Sequence, residues 1–346
     1  MKSINISNRE ISDSSPTFII AELSANHNQQ FEVAVETIKA AKEAGADAIK
    51  LQTYTADTIT LDSQNECFQI KHGTLWDGKT LHQLYQEAYT PWEWQPKLKE
   101  VAEDIGLICF SSPFDRTAVD FLEKMEVPAF KIASLEITEI PLIEYIASKG
   151  KPVIISTGVA TLTEIEEAIN ACKRAGNDQI ALLKCTSVYP TPLEEANLRT
   201  IPNLAETFKV IVGLSDHTSG ISVPIASVVL GARIIEKHFI LNRDLGGPDA
   251  PFSLEPSEFK QMVTHVREVE KALGMITYEL SEKAKASREY ARSLFVVEDM
   301  KEGDVLTVQN IRSIRPGNGL APKYLNEVLG RKVKIFVEKG TPLSWR

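Results

Sequence analysis

The segments Gly213-Leu214-Ser215-Asp216-His217-Thr218 and Ile235-Glu236-Lys237-His238-Phe239 decide the fold. Each follows or ends a run of β-branched apolar residues, and each carries one histidine where that run stops. Such runs are typical of buried parallel strands, whose carboxyl ends form the catalytic face of an α/β barrel. The two segments therefore predict a single barrel mouth that contains both His217 and His238.

Eight strand-like runs alternate with helical patterns along most of the chain. The runs cover residues 17–22, 47–52, 106–111, 129–133, 152–156, 180–185, 209–214 and 233–238. A helical pattern such as Ile165, Ala168, Ile169 and Cys172 ends near Gly176, a residue that accepts the left-handed stop of a helix. This α/β alternation predicts parallel strands joined by crossover helices, and eight such strands predict a (β/α)8 TIM barrel.

The pattern changes near the carboxyl terminus. Short strand-like runs separated by Gly and Pro turns replace the long alternation. We therefore predict a TIM-barrel catalytic domain over residues 1–280 and a small β-rich domain over residues 287–346. The long connection from Thr53 to about Pro91 is expected to cover the active site, since loops of that length are often functional.

Composition excludes several classes of protein. The net charge of −9, from 47 acidic and 38 basic residues, argues against nucleic-acid binding but permits a local pocket for a small anion. The four cysteines form no close pairs, which predicts reduced thiols rather than disulfides. The first residues lack an apolar signal core and no run reaches the ~18 apolar residues of a membrane span. We expect a cytoplasmic protein that does not enter membranes.

Polar side chains gather at the predicted strand ends. They are Glu22, Lys50, Gln52, Ser111, Ser112, Lys131, Ser134, Ser156, Thr157, Thr186, Ser187, Tyr189, Ser215, His217 and His238. Because side chains alternate across a strand, Lys50 and Gln52 share one face, and His238 shares a face with Glu236. By the same alternation Lys237 points toward the helix layer, where the sequence offers no obvious partner for its charge.

Two kinds of chemistry are suggested by these residues. His217 and His238 suit a catalytic divalent metal such as Mn²⁺, Mg²⁺ or Zn²⁺, although they could also be hydrogen-bonded core histidines. Lys50 and Lys131 would repel each other unless anions neutralise them, which indicates a substrate carrying a carboxylate and a phosphate. A lysine of this kind could instead form a Schiff base or a structural ion pair. The serine hydroxyls are suitable phosphate donors, but each alone could be a turn residue or a helix cap.

The order of the motifs resembles the sialic acid synthase (NeuB-like) family over nearly the whole chain. The matching segments are Ala21 to Asn28, Lys50 to Tyr54, Lys131 to Ser134, Ser156 to Gly158, Cys185 to Pro190, Gly213 to Thr218 and Glu236 to Phe239. The tail from Ser313 to Leu320 resembles the C-terminal SAF (antifreeze-like) domain of that family. Leu75 to Gly78, Pro91 to Trp94 and Cys109 to Phe114 are most similar to its pseudaminic acid synthase branch.

The resemblance implies a metal-dependent condensation of phosphoenolpyruvate with the open-chain aldehyde of an N-acetylated amino sugar. His217 and His238 would hold the metal, which would be Mn²⁺ or, as the alternative, Mg²⁺. Glu22, Lys50, Lys131 and Glu136 would be catalytic. The implied substrate-binding residues are Gln52, Ser112, Ser134, Ser156, Thr186, Ser187, Tyr189, Ser215, Asp249 and Arg315. Arg315 would reach the site of a partner subunit, which implies a homodimer that exchanges SAF domains.

The substrate and the reaction class leave alternatives open. Ser187 stands where sialic acid synthases that use N-acetylmannosamine have asparagine, and this shorter side chain favours 2,4-diacetamido-2,4,6-trideoxy-altrose as the sugar. An N-acetylneuraminate or legionaminate synthase remains an alternative. A class I aldolase using Lys131 or Lys50 would be trapped by borohydride and insensitive to chelators. A non-catalytic glycan-binding protein would bind sugar without consuming phosphoenolpyruvate.

Overall fold

The computed structural model describes residues 3–71 and 73–345, and the chain divides into two compact units between Gly274 and Met275. Among the described residues no helix is both long enough and apolar enough to cross a membrane. Cys67, Cys109, Cys172 and Cys185 are all free thiols.

The described residues form twelve strands, which are numbered in chain order. They are β1 (Ser3–Ile6), β2 (Arg9–Ser12), β3 (Phe18–Glu22), β4 (Ala48–Thr53), β5 (Ile108–Pro113), β6 (Phe130–Ile132), β7 (Val153–Ser156), β8 (Ile180–Cys185), β9 (Ile211–Asp216), β10 (Ile234–His238), β11 (Ser293–Val296) and β12 (Ile311–Ile314).

The α-helices are numbered in the same way. They are α1 (Phe31–Glu43), α2 (Ala56–Ile59), α3 (Leu81–Ala88), α4 (Gln95–Asp104), α5 (Arg116–Lys124), α6 (Ile140–Ala147), α7 (Leu162–Arg174), α8 (Thr200–Phe208), α9 (Ser222–Val229), α10 (Pro256–Leu273), α11 (Glu282–Arg288) and α12 (Leu325–Val328).

Strands β3 to β10 form a closed parallel barrel in the order β10-β3-β4-β5-β6-β7-β8-β9, which confirms the predicted TIM barrel. Each predicted strand run overlaps one barrel strand, with ends that differ by a few residues. Helix α7 illustrates the local agreement. Thr161 and Glu164 form a capping box at its start, and Ile165 packs into the core.

The pairing of strands fixes the residues at the mouth of the barrel. Glu22 at the end of β3 pairs with His238 of β10 on one side and with Lys50 of β4 on the other. Glu236 of β10 pairs with Ser215 of β9. Adjacent strand ends therefore deliver acidic, basic and imidazole side chains to one place.

A short antiparallel hairpin, β1 and β2, precedes the barrel and was not among the predicted strands. Its signal is the alternation of buried Ile4 and Ile6 with exposed polar residues, which fits a strand with one buried face. The run is only four residues long, and a run that short is a weak predictor.

The second unit has its own small core around the antiparallel pair β11 and β12. That core includes the buried side chains Leu294, Val296, Met300, Ile311 and Val328.

Candidate active site

One cavity opens at the carboxyl ends of the barrel strands and collects most of the predicted site residues. Its lining includes Glu22, Lys50, Gln52, Lys131, Ser134, Glu136, Ser156, Tyr189, Ser215, His217, His238 and Asp249. These side chains come from different strands and from the connections that follow them. The barrel therefore brings together residues that lie more than two hundred positions apart in the sequence.

Three predicted residues of the barrel unit do not line this cavity, and a fourth belongs to the second unit. Ser112 is buried on β5, and its hydroxyl has no hydrogen-bond partner among the described residues. The Thr186 hydroxyl accepts a hydrogen bond from the Lys184 ammonium group at 2.8 Å and donates one to a backbone carbonyl. Ser187 lies against Gly158, beside the cavity. Arg315 is an exposed residue of the second unit.

The two strand lysines are neutralised by carboxylates within the protein. The Lys50 ammonium nitrogen lies 3.0 Å from an oxygen of Glu22 and 3.0 Å from an oxygen of Glu236, and Lys131 lies 3.6 Å from the same Glu236 oxygen. The expected repulsion between the two ammonium groups is thus offset by two anions. The lysines alone therefore do not require an anionic substrate, and the structural ion pair that the sequence left open is present as well.

Glu236 lines the cavity but was not among the predicted site residues. It bridges both lysines, and it also accepts a hydrogen bond from the Ser215 hydroxyl at 2.9 Å. Its other carboxylate oxygen is buried without a partner among the described residues. The available signal was strand parity, which places Glu236 on the same face as His238.

The buried charges shift one another's pKa values. Burial alone would raise the pKa of Glu22, but Lys50 and His238 hold it well below its usual value. Burial opposes the charged form of Lys50, yet Glu22 and Glu236 more than offset this and raise its pKa. Burial lowers the pKa of Lys131 despite Glu236, and neighbouring Lys50 lowers it further. Glu22 is therefore an ionised carboxylate paired with a cationic Lys50.

Glu136 has the opposite electrostatic environment. Burial raises its pKa to about 7, although Lys131 acts in the other direction. One of its carboxylate oxygens is buried without a hydrogen-bond partner among the described residues. A carboxyl group that titrates near neutral pH and keeps an unused oxygen can carry a proton during a reaction.

The two predicted metal ligands lie side by side. The ring centroids of His217 and His238 are 5.4 Å apart, close to the about 5 Å expected when two imidazole nitrogens bind one ion at about 2.1 Å. Nδ1 of His217 lies 3.0 Å from the Thr186 carbonyl, an orientation that leaves Nε2 available. Nδ1 of His238 is buried, has no hydrogen-bond partner among the described residues and lies 3.8 Å from a carboxylate oxygen of Asp249.

These donors fit a divalent ion, but they form only part of its coordination shell. Within residues 3–71 and 73–345 no three His, Cys, Asp or Glu side chains converge as a complete metal site. A site with two imidazoles and open positions leaves room for water or a substrate oxygen, as catalytic metal sites require.

Comparison with known proteins agrees with this geometry. The model of the NeuB family matches residues 37–278, and that of the SAF domain matches residues 291–346. The chain is 48% identical to a Pseudaminic acid synthase of Campylobacter jejuni, over 94% of this chain and 95% of that protein. It is also 48% identical to a Pseudaminic acid synthase of Helicobacter pylori, over 95% of this chain and 97% of that protein.

A solved structure supports the same relationship. The N-acetylneuraminic acid synthetase of Leptospira borgpetersenii, crystallised with citrate, aligns with a TM-score of 0.74 and 32% identity. The alignment covers 83% of this chain and 95% of that one. Matching models for both domains, near full-length relatives and a shared barrel lead to one conclusion: the chain belongs to the NeuB family.

Proposed function

We propose that the chain is a pseudaminic acid synthase. It condenses phosphoenolpyruvate with 2,4-diacetamido-2,4,6-trideoxy-altrose to give a nine-carbon nonulosonic acid and phosphate. The observation that carries the proposal is the single cavity in which two adjacent histidines lie beside two lysines and two carboxylates. Support for the substrate comes from the two relatives that are 48% identical and are named pseudaminic acid synthases.

Phosphoenolpyruvate is proposed to bind at the lysines and the nearby serines. Lys131 donates a hydrogen bond to the Ser156 hydroxyl at 2.7 Å, and the Ser134 hydroxyl accepts one from the backbone N–H of Gly158 at 3.1 Å. These groups, with Lys50 and Ser215, offer a set of cationic and hydroxyl donors for a carboxylate and a phosphate. The carboxylates that neutralise the lysines keep this set assembled before the substrate arrives.

A divalent ion, Mn²⁺ or Mg²⁺, is proposed to be held by His217 and His238. When bound, such an ion polarises the aldehyde oxygen of the sugar and stabilises the negative charge that develops there. Carbon 3 of phosphoenolpyruvate attacks the aldehyde carbon, water adds at carbon 2, and phosphate leaves with cleavage of its C–O bond. Lys50 and Lys131 orient the enol ester for this attack.

The two carboxylates Glu136 and Glu22 are proposed to have different roles. Glu136, with a pKa raised by burial to about 7, can exchange a proton with the water or with the alkoxide at neutral pH. Glu22 has a pKa far below neutrality, and its oxygen accepts a hydrogen bond from Gln52 at 2.9 Å. Glu22 is therefore suited to remain an anion that orders Lys50 and Gln52.

The sugar is proposed to contact Gln52, Tyr189 and Asp249, which line the cavity beside the histidines. Ser112, Thr186 and Ser187 would contribute from its margin. If the enzyme instead prefers another N-acetylated hexose, it is an N-acetylneuraminate or legionaminate synthase with the same chemistry. A relative from Legionella pneumophila named N,N'-diacetyllegionaminic acid synthase is 36% identical over 98% of this chain.

A homodimer is proposed in which the exposed Arg315 of one subunit contacts the sugar in the barrel of the other. Cytoplasmic location is proposed as well, and the four free cysteines are consistent with a reducing compartment.

Phosphate release tests the function directly. The purified chain is incubated with phosphoenolpyruvate, Mn²⁺ and one candidate hexose at a time, with a chelator control. We expect phosphate release with the 2,4-diacetamido-6-deoxy sugar and its loss with chelator. Absence of phosphate release, together with chelator-insensitive condensation of pyruvate with the hexose and trapping by borohydride, would instead indicate a Schiff-base aldolase, whose nucleophile would be Lys131 or Lys50.

A further inference from the structure

The cavity has two chemically different walls. The barrel strands supply its charged side, with residues such as Glu22, Lys131 and His238. The connection between β4 and α4 supplies Tyr54, Ile59, Trp76, Leu84, Tyr85 and Ala88. No charged side chain is among these six. We call this set the apolar wall.

Aromatic contacts fix the positions of Tyr54 and Tyr85 within the apolar wall. The Tyr54 ring packs edge-on against Tyr85, with centroids 5.6 Å apart, and against Phe114, with centroids 5.0 Å apart. The Tyr54 carbonyl accepts a hydrogen bond from the indole N–H of Trp92 at 3.1 Å. Such edge-to-face pairs favour a defined ring arrangement, so Tyr54 and Tyr85 hold defined positions in the wall.

Trp76 joins the apolar wall to the loop after β10. Its indole N–H donates a hydrogen bond to the Pro248 carbonyl at 3.1 Å, and its ring lies 5.7 Å from that of Tyr189. Pro248 precedes Asp249, whose carboxylate lies 3.8 Å from His238. The Tyr189 ring in turn lies 4.4 Å from that of His217, so Trp76 contributes apolar surface beyond Tyr189 as seen from the histidines.

We propose that the apolar wall, through Trp76 and Leu84, determines sugar specificity by favouring a chain that ends in a methyl group over one that ends in a hydroxymethyl group. This inference rests on the proposed function. A sugar bound by its aldehyde at the histidines extends its far carbons away from the charged side. A hydroxyl at the last carbon would lose its water against Leu84 and gain no partner there.

The expected discrimination is moderate. A hydrophobic pocket rejects an added hydroxyl by about 10- to 100-fold, because it offers the hydroxyl no hydrogen bond but does not exclude it by size. The relevant quantity is the ratio of kcat/KM for the 6-deoxy sugar to kcat/KM for its 6-hydroxy analogue, both with acetamido groups at carbons 2 and 4.

The experiment compares this ratio in the full-length wild type, Leu84→Asn, Trp76→Ser and Leu81→Asn. Leu84→Asn puts a hydrogen-bonding amide of similar size into the wall, and Trp76→Ser removes the indole. Leu81 lies on the same helix, α3, outside the cavity lining, so Leu81→Asn is the matched control. We expect the ratio to fall at least about fivefold in the first two variants and to stay unchanged in the control.

The outcomes separate the two levels of proposal. If both Leu84→Asn and Trp76→Ser keep the wild-type ratio, the specificity inference is overturned while the synthase function stands. If the wild type turns over only a different hexose, the proposed function fails first. Should Leu84→Asn fail to fold, as judged by thermal unfolding, the half-exposed Trp76 position decides the question alone.

Discussion

The ammonium group of Lys237 lies 2.6 Å from the carboxylate of Asp216, and both side chains are buried on the outer face of the barrel. The two residues are paired across β10 and β9, and each directly precedes one of the predicted metal ligands, His238 and His217. Lys237 also donates a hydrogen bond to the Thr218 carbonyl. This ion pair supplies the partner for the Lys237 charge that the sequence did not reveal. It also links the ends of β9 and β10, which precede His217 and end at His238.

Lys237→Met should destabilise the protein strongly. Removing one partner of a buried ion pair leaves an uncompensated charge, which costs about 3 to 5 kcal/mol. The free energy of unfolding, measured by urea denaturation, checks this value. Lys39→Met is the control because Lys39 forms only an exposed pair with Glu36, worth less than about 1 kcal/mol.

A double variant tests the same ion pair further. Lys237→Met combined with Asp216→Leu removes both charges and should be less destabilised than the sum of the single variants. Additive losses would mean that the two side chains are not energetically coupled.

His238→Ala should abolish turnover with little loss of fold. Removing a group that stabilises developing charge lowers kcat by at least about 100-fold, and losing a metal ligand should cost more. Phosphate release measures the activity and thermal unfolding measures the fold. His265→Ala is the control, since His265 is an exposed residue of α10 that pairs with Glu268. Near-normal activity of the His238 variant would count heavily against the metal assignment.

Glu136 should set the alkaline limb of the pH profile. Burial raises its pKa to about 7, so the protonated acid is present below that pH and is lost above it. If Glu136 donates a proton, kcat should fall as the pH rises through about 7. Glu136→Gln should lower kcat by about 10²- to 10⁴-fold and remove this limb. A variant that keeps both the rate and the limb would exclude Glu136 as the proton donor.

The same pKa shift has a consequence for stability. A carboxyl group whose pKa is higher in the folded state than in the unfolded state binds more protons when folded, so the fold loses stability as the pH rises from about 4.5 to 7. Glu136→Gln lacks this titration. Its thermal midpoint relative to wild type should therefore rise between pH 5 and pH 8, whatever the catalytic role of Glu136.

Gly158→Ala should weaken the binding of phosphoenolpyruvate. A Cβ at this position would lie 2.3 Å from the Ser187 hydroxyl, 2.7 Å from the Ser134 hydroxyl and 3.1 Å from the Cys185 sulfur. Overpacking of this kind costs about 1 to 3 kcal/mol and would displace Ser134 from the proposed phosphate site. We expect KM for phosphoenolpyruvate to rise by about tenfold or more.

Gly176→Ala provides the contrast for Gly158. Gly176 has a φ of +82° and open space around its Cα, so the variant strains the backbone without a clash. It should lower stability by about 1 kcal/mol and leave KM unchanged. Equal KM values for the two alanine variants would remove Gly158 from the substrate site.

The sequence predicts strand ends better than it predicts contacts between strands. The barrel follows from apolar runs that stop at a polar residue, and those stops identified Lys50, Lys131, His217 and His238. Alternation along β10 showed which way Glu236 points, but only the closed barrel shows that it reaches two lysines from other strands. A counter-ion shared across a barrel is a long-range relationship that no local pattern encodes.

The apolar wall marks the second limit of sequence analysis. The long connection after β4 was expected to cover the site, and residues within it do line the cavity. Trp76 reaches the cavity through a hydrogen bond to Pro248, 172 positions further along the chain. The pattern of residues 53–91 gives a length and a composition but no periodicity that would identify the side chains facing a substrate.

Arg315 should act on the sugar bound by the other subunit. Arg315→Ala should raise the sugar KM by about tenfold, since a hydrogen bond from a charged group is worth about 1.5 to 3 kcal/mol.

Mixing Arg315→Ala with His238→Ala, after subunit exchange, tests whether Arg315 acts on the site of the other subunit. In a mixed dimer one barrel then has its own His238 and receives Arg315 from the partner. Because half of the dimers are mixed and each has one intact site, kcat/KM for the sugar should recover to about a quarter of the wild-type value. If Arg315 serves its own barrel, every site lacks one residue and the mixture gains nothing over the separate variants. An unchanged sugar KM in Arg315→Ala alone would already contradict the prediction, because the loss of a hydrogen bond from a charged group should weaken sugar binding measurably.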